Sequence, residues 1–257
     1  MRVRQVALVA GDLDRVTDGL NTAFGLKVAY NDPGVGHYGL KNAVLPAGAA
    51  FIEVVEPVRD DASAGRYLKR RGGEAAGYMV ILQCADAPAE QARAEALGVR
   101  VVDQIDRPYY YCAHFHPADF GGMLVSFDQQ RTETDPLKDG GDWMPAGPDW
   151  AKAQADAVDD ITAVVMSAAD PLALARRWSE LIGRPLDPDD PLRLPLDRGE
   201  VRFVAGGEGA ATAIEGLDVA VTDPEAVLSK AKAAGLEMAN GGVRIGGVVM
   251  RPTAVAR

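Results

Sequence analysis

Cysteine, histidine and aromatic side chains are all scarce in this chain, and each shortage removes a class of protein. Two cysteines, Cys84 and Cys112, cannot staple 257 residues into a disulfide framework. Reduced thiols and a cytoplasmic location are therefore the expectation. Basic residues are outnumbered, 27 Lys and Arg against 37 Asp and Glu, for a net charge of −10. That balance lacks the basic face that nucleic acid requires. The apolar run Val6–Ala10 is of strand length, well short of the roughly 20 residues of a membrane-spanning helix, so a membrane role is not expected. What remains is an acidic protein with enough apolar residues for one large or two small cores. Its expected partner is a small molecule.

A fourfold repeat sets the fold. The segments "VALVAGDLDRVTDGLNTAFG", "YMVILQCADAPAEQARAEALG", "ITAVVMSAADPLALARRWSELIG" and "GLDVAVTDPEAVLSKAKAAG" share one grammar: an apolar run, an Asp, an amphipathic stretch and a Gly. The marker aspartates are Asp12, Asp86, Asp170 and Asp223, and the closing glycines are Gly25, Gly98, Gly183 and Gly235. Their separations alternate 13, 12, 13, 12, which predicts two pairs of modules. Each apolar run reads as a buried strand. Each Asp reads as a helix N-cap, and Pro88, Pro171 and Pro224 stand in the first helical turn, where a missing N–H costs nothing. Val16, Leu20 and Phe24 supply an apolar helix face, as do Leu174, Trp178 and Leu181. The glycine ends the helix in a left-handed conformation.

After the first helix, "LKVAYN", "GHYGLKNAVLP" and "AAFIEVVEP" read as strands; after the second, "RVVDQI", "PYYYCAHFHP" and "GMLVSFDQ" do. The predicted unit is strand, helix and three strands, with briefer strands in the third and fourth copies. Residues 132–155, rich in Pro, Gly and Asp, read as a linker, and Trp143 and Trp150 predict that it docks onto a domain. The expected organisation is thus 1–131, linker 132–155 and 156–257.

These tandem modules, opening on "VALVAGDLD", resemble the vicinal oxygen chelate superfamily. That group holds glyoxalase I, methylmalonyl-CoA epimerase, extradiol dioxygenases and bleomycin-resistance proteins. "HPADFGGMLVS" is similar to the last strands of the epimerases, and the resemblance covers nearly the whole chain, more weakly in its second half. It implies an α+β fold of two glyoxalase-like domains, each a pair of βαβββ modules making a curved mixed sheet with outer helices. It also implies a divalent ion (Zn, Ni, Mn, Mg or Fe) held by first- and last-strand ligands, stabilising an enolate beside a carbonyl or activating dioxygen.

Carried over by position, the first-strand ligands fall on Gln5 and Met79 and the last-strand ligands on Glu53 and Ser126. Only Glu53 is kept, with Gln5 a weak oxygen donor. In the second half the equivalent positions are Ala163, Gly216 and Phe203, which predicts no metal there. Strand alternation places Tyr110, Cys112, His114 and His116 on one side, and Leu124, Ser126 and Asp128 on one side of the next strand.

Three readings stay open. A rearranged metal set would comprise Glu53, His114, His116 and Gln5. A metal-free site would use Glu53 with His114 or His116 as acid and base. In the third, the histidines only support structure, His116 fixing the turn at Pro117. Gln5, His37, Asn42, Gln83, Tyr110, Ser126 and Asp128 would contact substrate. The basic run "RYLKRRGGE" fits either an anion clamp or a solvated helix end. The leading function is a lyase, isomerase or epimerase acting beside a carbonyl or on vicinal oxygens. The alternative is a metal-free, drug-sequestering binding protein, and the third a ring-cleaving dioxygenase. Four modules can satisfy one another within a monomer or across a homodimer.

Overall fold

The four marker aspartates cap four helices. In the structure, a computed structural model that describes residues 1–255, the Asp12, Asp86, Asp170 and Asp223 carboxylates accept from the backbone N–H groups of Arg15, Ala89, Ala173 and Ala226. Each satisfies an orphan donor of the first turn.

The first module runs β1 (Arg2–Ala10), α1 (Leu13–Phe24), β2 (Leu40–Ala47) and β3 (Ala50–Pro57). A short helix, α2 (Ser63–Arg70), leads to the second: β4 (Ala75–Gln83), α3 (Ala87–Ala96), β5 (Val101–Arg107), β6 (Tyr110–Phe115) and β7 (Leu124–Gln130). The third is β8 (Val158–Ala168), α4 (Pro171–Ile182), β9 (Arg193–Pro195) and β10 (Glu200–Ala205). The fourth is β11 (Ala213–Val221), α5 (Pro224–Ala233), β12 (Met238–Ala239), β13 (Gly242–Ile245) and β14 (Val248–Ala254).

The alternating Asp–Gly spacing has a physical origin. The 12-residue helices α1 and α4 end directly on Gly25 and Gly183, in the left-handed conformation with φ of 71° and 69°. The 10-residue helices α3 and α5 are capped by Leu97 and Ala234, and Gly98 and Gly235 follow one step later with φ of 83° and 72°. Odd modules carry three strands and even modules four.

Modules one and two make one seven-stranded sheet, β2-β3-β1-β4-β7-β6-β5; modules three and four make another, β12-β13-β14-β11-β8-β10-β9. Both are mixed. β4 pairs parallel with β7, and β10 with β8, while β2 with β3 and β6 with β7 are antiparallel. The fold class is α+β, with four modules paired into two mixed sheets, as the repeat predicts.

One predicted strand is absent. "LKVAYN" joins its sheet through a single bridge, Tyr30 to Val44. Asn31 Nδ2 donates to the Asn42 carbonyl at 2.5 Å, and the Asp32 N–H donates to the Asn42 side chain at 2.8 Å. Side-chain chemistry thus ends that ladder after one bridge. His37 likewise lies in an exposed 3-10 turn, Pro33–Tyr38, before β2, not in a strand.

By compactness the chain forms two units that interleave the modules. The first gathers Met1–Gln5, Met79–Met144 and Ala163–Glu215; the second gathers Val6–Tyr78, Pro145–Thr162 and the chain from Gly216 onward. The first unit has an aromatic core. Phe115, Phe127, Phe120, Trp178 and Phe203 form a chain of ring contacts with centroids 4.7–6.3 Å apart. Trp178 is fully buried and donates from its indole to the Phe120 carbonyl at 3.2 Å. Aromatic pairs of this kind add about 0.5–1.5 kcal/mol each beyond simple burial. In the second unit α1 packs on α5, and the Ile245 side chain lies against α1 at Gly19. Among the described residues no helix is long and apolar enough to cross a membrane.

Candidate functional site

In the first unit, strand register assembles most of the predicted polar residues. β6 and β7 set Cys112 opposite Asp128 and His114 opposite Ser126; β4 and β7 set Ile81 beside Ser126 and Gln83 beside Asp128. Residues directly paired across a ladder project to the same face. Gln83, Tyr110, Cys112, His114, Ser126 and Asp128 therefore share one surface. The Tyr110 hydroxyl donates to the buried Asp128 carboxylate. Burial pushes the Cys112 thiol up, out of thiolate range, and its sulfur lies 3.8 Å from His114 Nε2. His114 is half-buried; its desolvation lowers its proton affinity, against a smaller pull upward from Asp103. Ser126 Oγ is fully buried and finds no hydrogen-bond partner among the described residues.

The linker covers this floor. Trp143, 1% exposed, donates from its indole to Gln5 Oε1 at 2.7 Å, stands edge-on to Tyr110 and lies under the Arg4 guanidinium. Gln83 Nε2 donates to the Pro136 carbonyl at 2.7 Å, and Arg4 donates to the Gly141 carbonyl at 2.9 Å. Arg2 Nε donates to Gln83 Oε1 at 2.9 Å and its Nη1 to Asp139 at 2.6 Å. Gln5, Gln83 and Tyr110 are thus held by protein groups. Sequence reading missed Arg2 and Arg4; the signal was an alternating "RVRQ" at the start of a strand that is otherwise apolar.

The second unit holds Glu53. It lies on β3 opposite Val44 and is 8% exposed. Asn42, on β2 and 4% exposed, donates from Nδ2 to Glu53 Oε1 at 2.7 Å. The carboxamide is itself fixed, because its oxygen accepts from the Asp32 N–H. Nearby, Val9, Leu40, Val55 and Leu68 form an apolar cluster with Tyr38, Tyr67 and Tyr78 packed against it. Burial pushes the Tyr78 hydroxyl up to about 12; Tyr67 and Glu53 add to this and Arg66 opposes it. Tyr78 therefore stays a proton donor throughout the physiological range. Nothing in "AAGYMVILQ" marked it out.

His116 lies one residue beyond β6 and caps a 3-10 turn, Pro117–Phe120, accepting from the Ala118 N–H at 3.2 Å. Its Nδ1 is also 3.0 Å from Arg100, whose guanidinium grips Asp119 at 2.7 Å. Those contacts hold the turn. His37 lies in the other turn, its carbonyl accepting from Arg59.

These commitments do not suit a divalent ion held by Glu53, Gln5, His114 and His116. Gln5 accepts from Trp143, Glu53 accepts from Asn42, and the Nδ1 of His116 accepts from a backbone N–H beside an arginine. Among the described residues no three His, Cys, Asp or Glu side chains group as metal ligands.

Comparison with known families agrees with the fold. A family model described as "Glyoxalase-like domain" matches residues 6–182, more than half of the chain. The chain belongs to the glyoxalase-like domain family. No curated protein sequence matches it. Solved structures similar to this glyoxalase-like protein include a Streptomyces coelicolor methylmalonyl-CoA epimerase variant in complex with 2-nitronate-propionyl-CoA. That likeness has 23% identity and a TM-score of 0.45, over 50% of this chain and 96% of the other. The methylmalonyl-CoA epimerase from Mycobacterium tuberculosis has 22% identity and a TM-score of 0.44, over 49% and 86%. A hypothetical protein from Bacillus halodurans C-125 has 18% identity and a TM-score of 0.45, over 52% and 96%.

Proposed function

We propose that this glyoxalase-like protein is a small-molecule enzyme of the isomerase or epimerase type that moves a proton beside a carbonyl without a metal. Glu53 is the base, Asn42 positions it, and Tyr78 donates to the oxygen on which charge develops. The observation that supports this reading is the Glu53–Asn42 pair: a nearly buried carboxylate, fixed by a carboxamide that is itself fixed, in an apolar and tyrosine-bearing setting. In the step, the substrate C–H bond breaks and its proton passes to Glu53. The electron pair moves into the carbonyl, and the Tyr78 O–H hydrogen-bonds the resulting enolate oxygen. Delivery of a proton to the neighbouring carbon completes an isomerisation, and delivery to the opposite face of the same carbon completes an epimerisation.

The test is loss of α-protons from a panel of 2-substituted ketones and acyl thioesters in D2O, followed by NMR. Glu53→Gln should slow exchange by about 10²–10⁴-fold, and chelator-treated protein should keep its rate. Exchange undiminished in the variant, or lost to chelator and restored by an added ion, defeats the reading. A second reading, non-catalytic sequestration, draws on the aromatic Trp143–Tyr110 pair over the floor of the first unit. It expects saturable binding of such compounds with no exchange.

A further inference from the structure

The linker does more than cover a surface: it delivers a carboxylate to two arginines. Arg2 is only 3% exposed, and every face of its guanidinium is used. Nε donates to Gln83 at 2.9 Å, Nη2 to the Lys138 carbonyl at 3.2 Å and Nη1 to Asp139 Oδ1 at 2.6 Å. Arg198 pairs with the other Asp139 oxygen. A backbone bridge between Arg2 and Arg198 explains why the two cations converge. The pair is lopsided, because the side chain of Asp139 is 60% exposed while its Arg2 partner is buried.

A buried guanidinium must keep an anion, since its charge is costly to leave uncompensated. An exposed aspartate on a turn closed by Gly140 (φ 69°) and Gly141 is an anion that can be exchanged. Beside it opens a cavity of about 330 Å³ lined by Arg2, Leu137, Asp139, Asp197 and Arg198. That is room for a small organic acid. Asp197 does not compete for Arg2, because it pairs with Arg184 at 2.9 Å. Burial alone would raise the Asp139 carboxyl, but the Arg198 and Arg2 cations outweigh it and hold it below the usual range.

We propose that Arg2 and Arg198 form a binding site for the carboxylate of a small organic acid, which Asp139 fills as an internal stand-in. Binding of the acid displaces Asp139 and lifts the Pro136–Gly141 segment away from Gln83 and Arg4. This site is separate from the Glu53 reading and does not depend on it.

The probe is malonate, titrated by calorimetry at fixed ionic strength. A tethered competitor acts at an effective concentration in the millimolar range, so Asp139→Asn should bind malonate about tenfold or more tighter than wild type. The double variant Asp139→Asn with Arg198→Ala should lose that gain. In wild type, saturating malonate should speed amide hydrogen exchange across residues 136–141. The proposal fails if Asp139→Asn binds no tighter than wild type, or if the double variant binds as tightly as the single one. Should Asp139→Asn not fold, the wild-type exchange experiment decides: unchanged protection at high malonate overturns the proposal. Glu53→Gln should bind malonate like wild type, so failure at one site cannot be mistaken for failure at the other.

Discussion

Replacing Gly48 by alanine should be among the most damaging single-methyl additions in the molecule. Gly48 turns the β2–β3 hairpin with φ of 67°. An L-residue pays about 1–2 kcal/mol for that left-handed conformation. The larger cost is spatial: a Cβ there would lie 1.6 Å from the Asp159 carbonyl oxygen and 2.0 Å from its carbon. Neither atom belongs to a flexible side chain, so the hairpin must withdraw from β8. Withdrawal breaks the Ala49 N–H to Asp159 bond at 3.1 Å and the Gln154 bond to the Gly48 carbonyl at 3.1 Å. Each contributes about 0.5–1.5 kcal/mol net. The total is about 2–5 kcal/mol, to be read from urea unfolding as a lowered midpoint. Gly25→Ala is the control. Its φ is 71°, but nothing lies within 4 Å of the added carbon, so it should cost only the conformational 1–2 kcal/mol. A loss at Gly48 no greater than at Gly25 would refute the close contact between this hairpin and β8.

Other expectations follow from the same geometry. The Arg100 guanidinium, aided by the Arg100 backbone N–H and His116, holds the Asp119 carboxyl down at about 2. Because the folded value is depressed, the stability it lends is complete above the unfolded carboxylate range and fades as pH falls toward about 2. With Arg100 largely exposed the contribution is small, so the cleaner measurement is the Asp119 titration by NMR, which Arg100→Gln should return toward the ordinary value; an unmoved titration counts against the pair. Burial raises both the Cys84 and Cys112 thiols. Neither should react with a thiol reagent at pH 8 until denaturant is added, and stoichiometric labelling of the folded protein would contradict the burial.

What could be read from the sequence was what local chemistry decides. An Asp that caps and a Gly that turns left act within four residues, so four helices and their alternating lengths were visible. Period-two alternation likewise placed Tyr110, His114, Ser126 and Asp128 on shared faces, because that follows from strand geometry alone. It ran one residue too far at His116, where Pro117 had already ended the ladder. "LKVAYN" has strand composition, but pairing is settled by a partner: the Asn31 side chain takes the Asn42 carbonyl, and the Asn42 side chain takes the Asp32 N–H, the two groups a longer ladder would pair. Trp143 signalled a docked linker, yet no local pattern says that Gln5, Gln83, Arg2 and Arg4 would receive it. Those partnerships span up to 138 positions along the chain.

The aromatic chain of the first unit bears on how such a polypeptide can be divided. Phe120 belongs to the second module and Trp178 to the third, yet they share a fully dry contact. A fragment ending at residue 131 would present Phe120 to water without its indole cover, and the complementary fragment would present Trp178 in the same way. Neither piece completes this contact alone, because each supplies only one of its two rings.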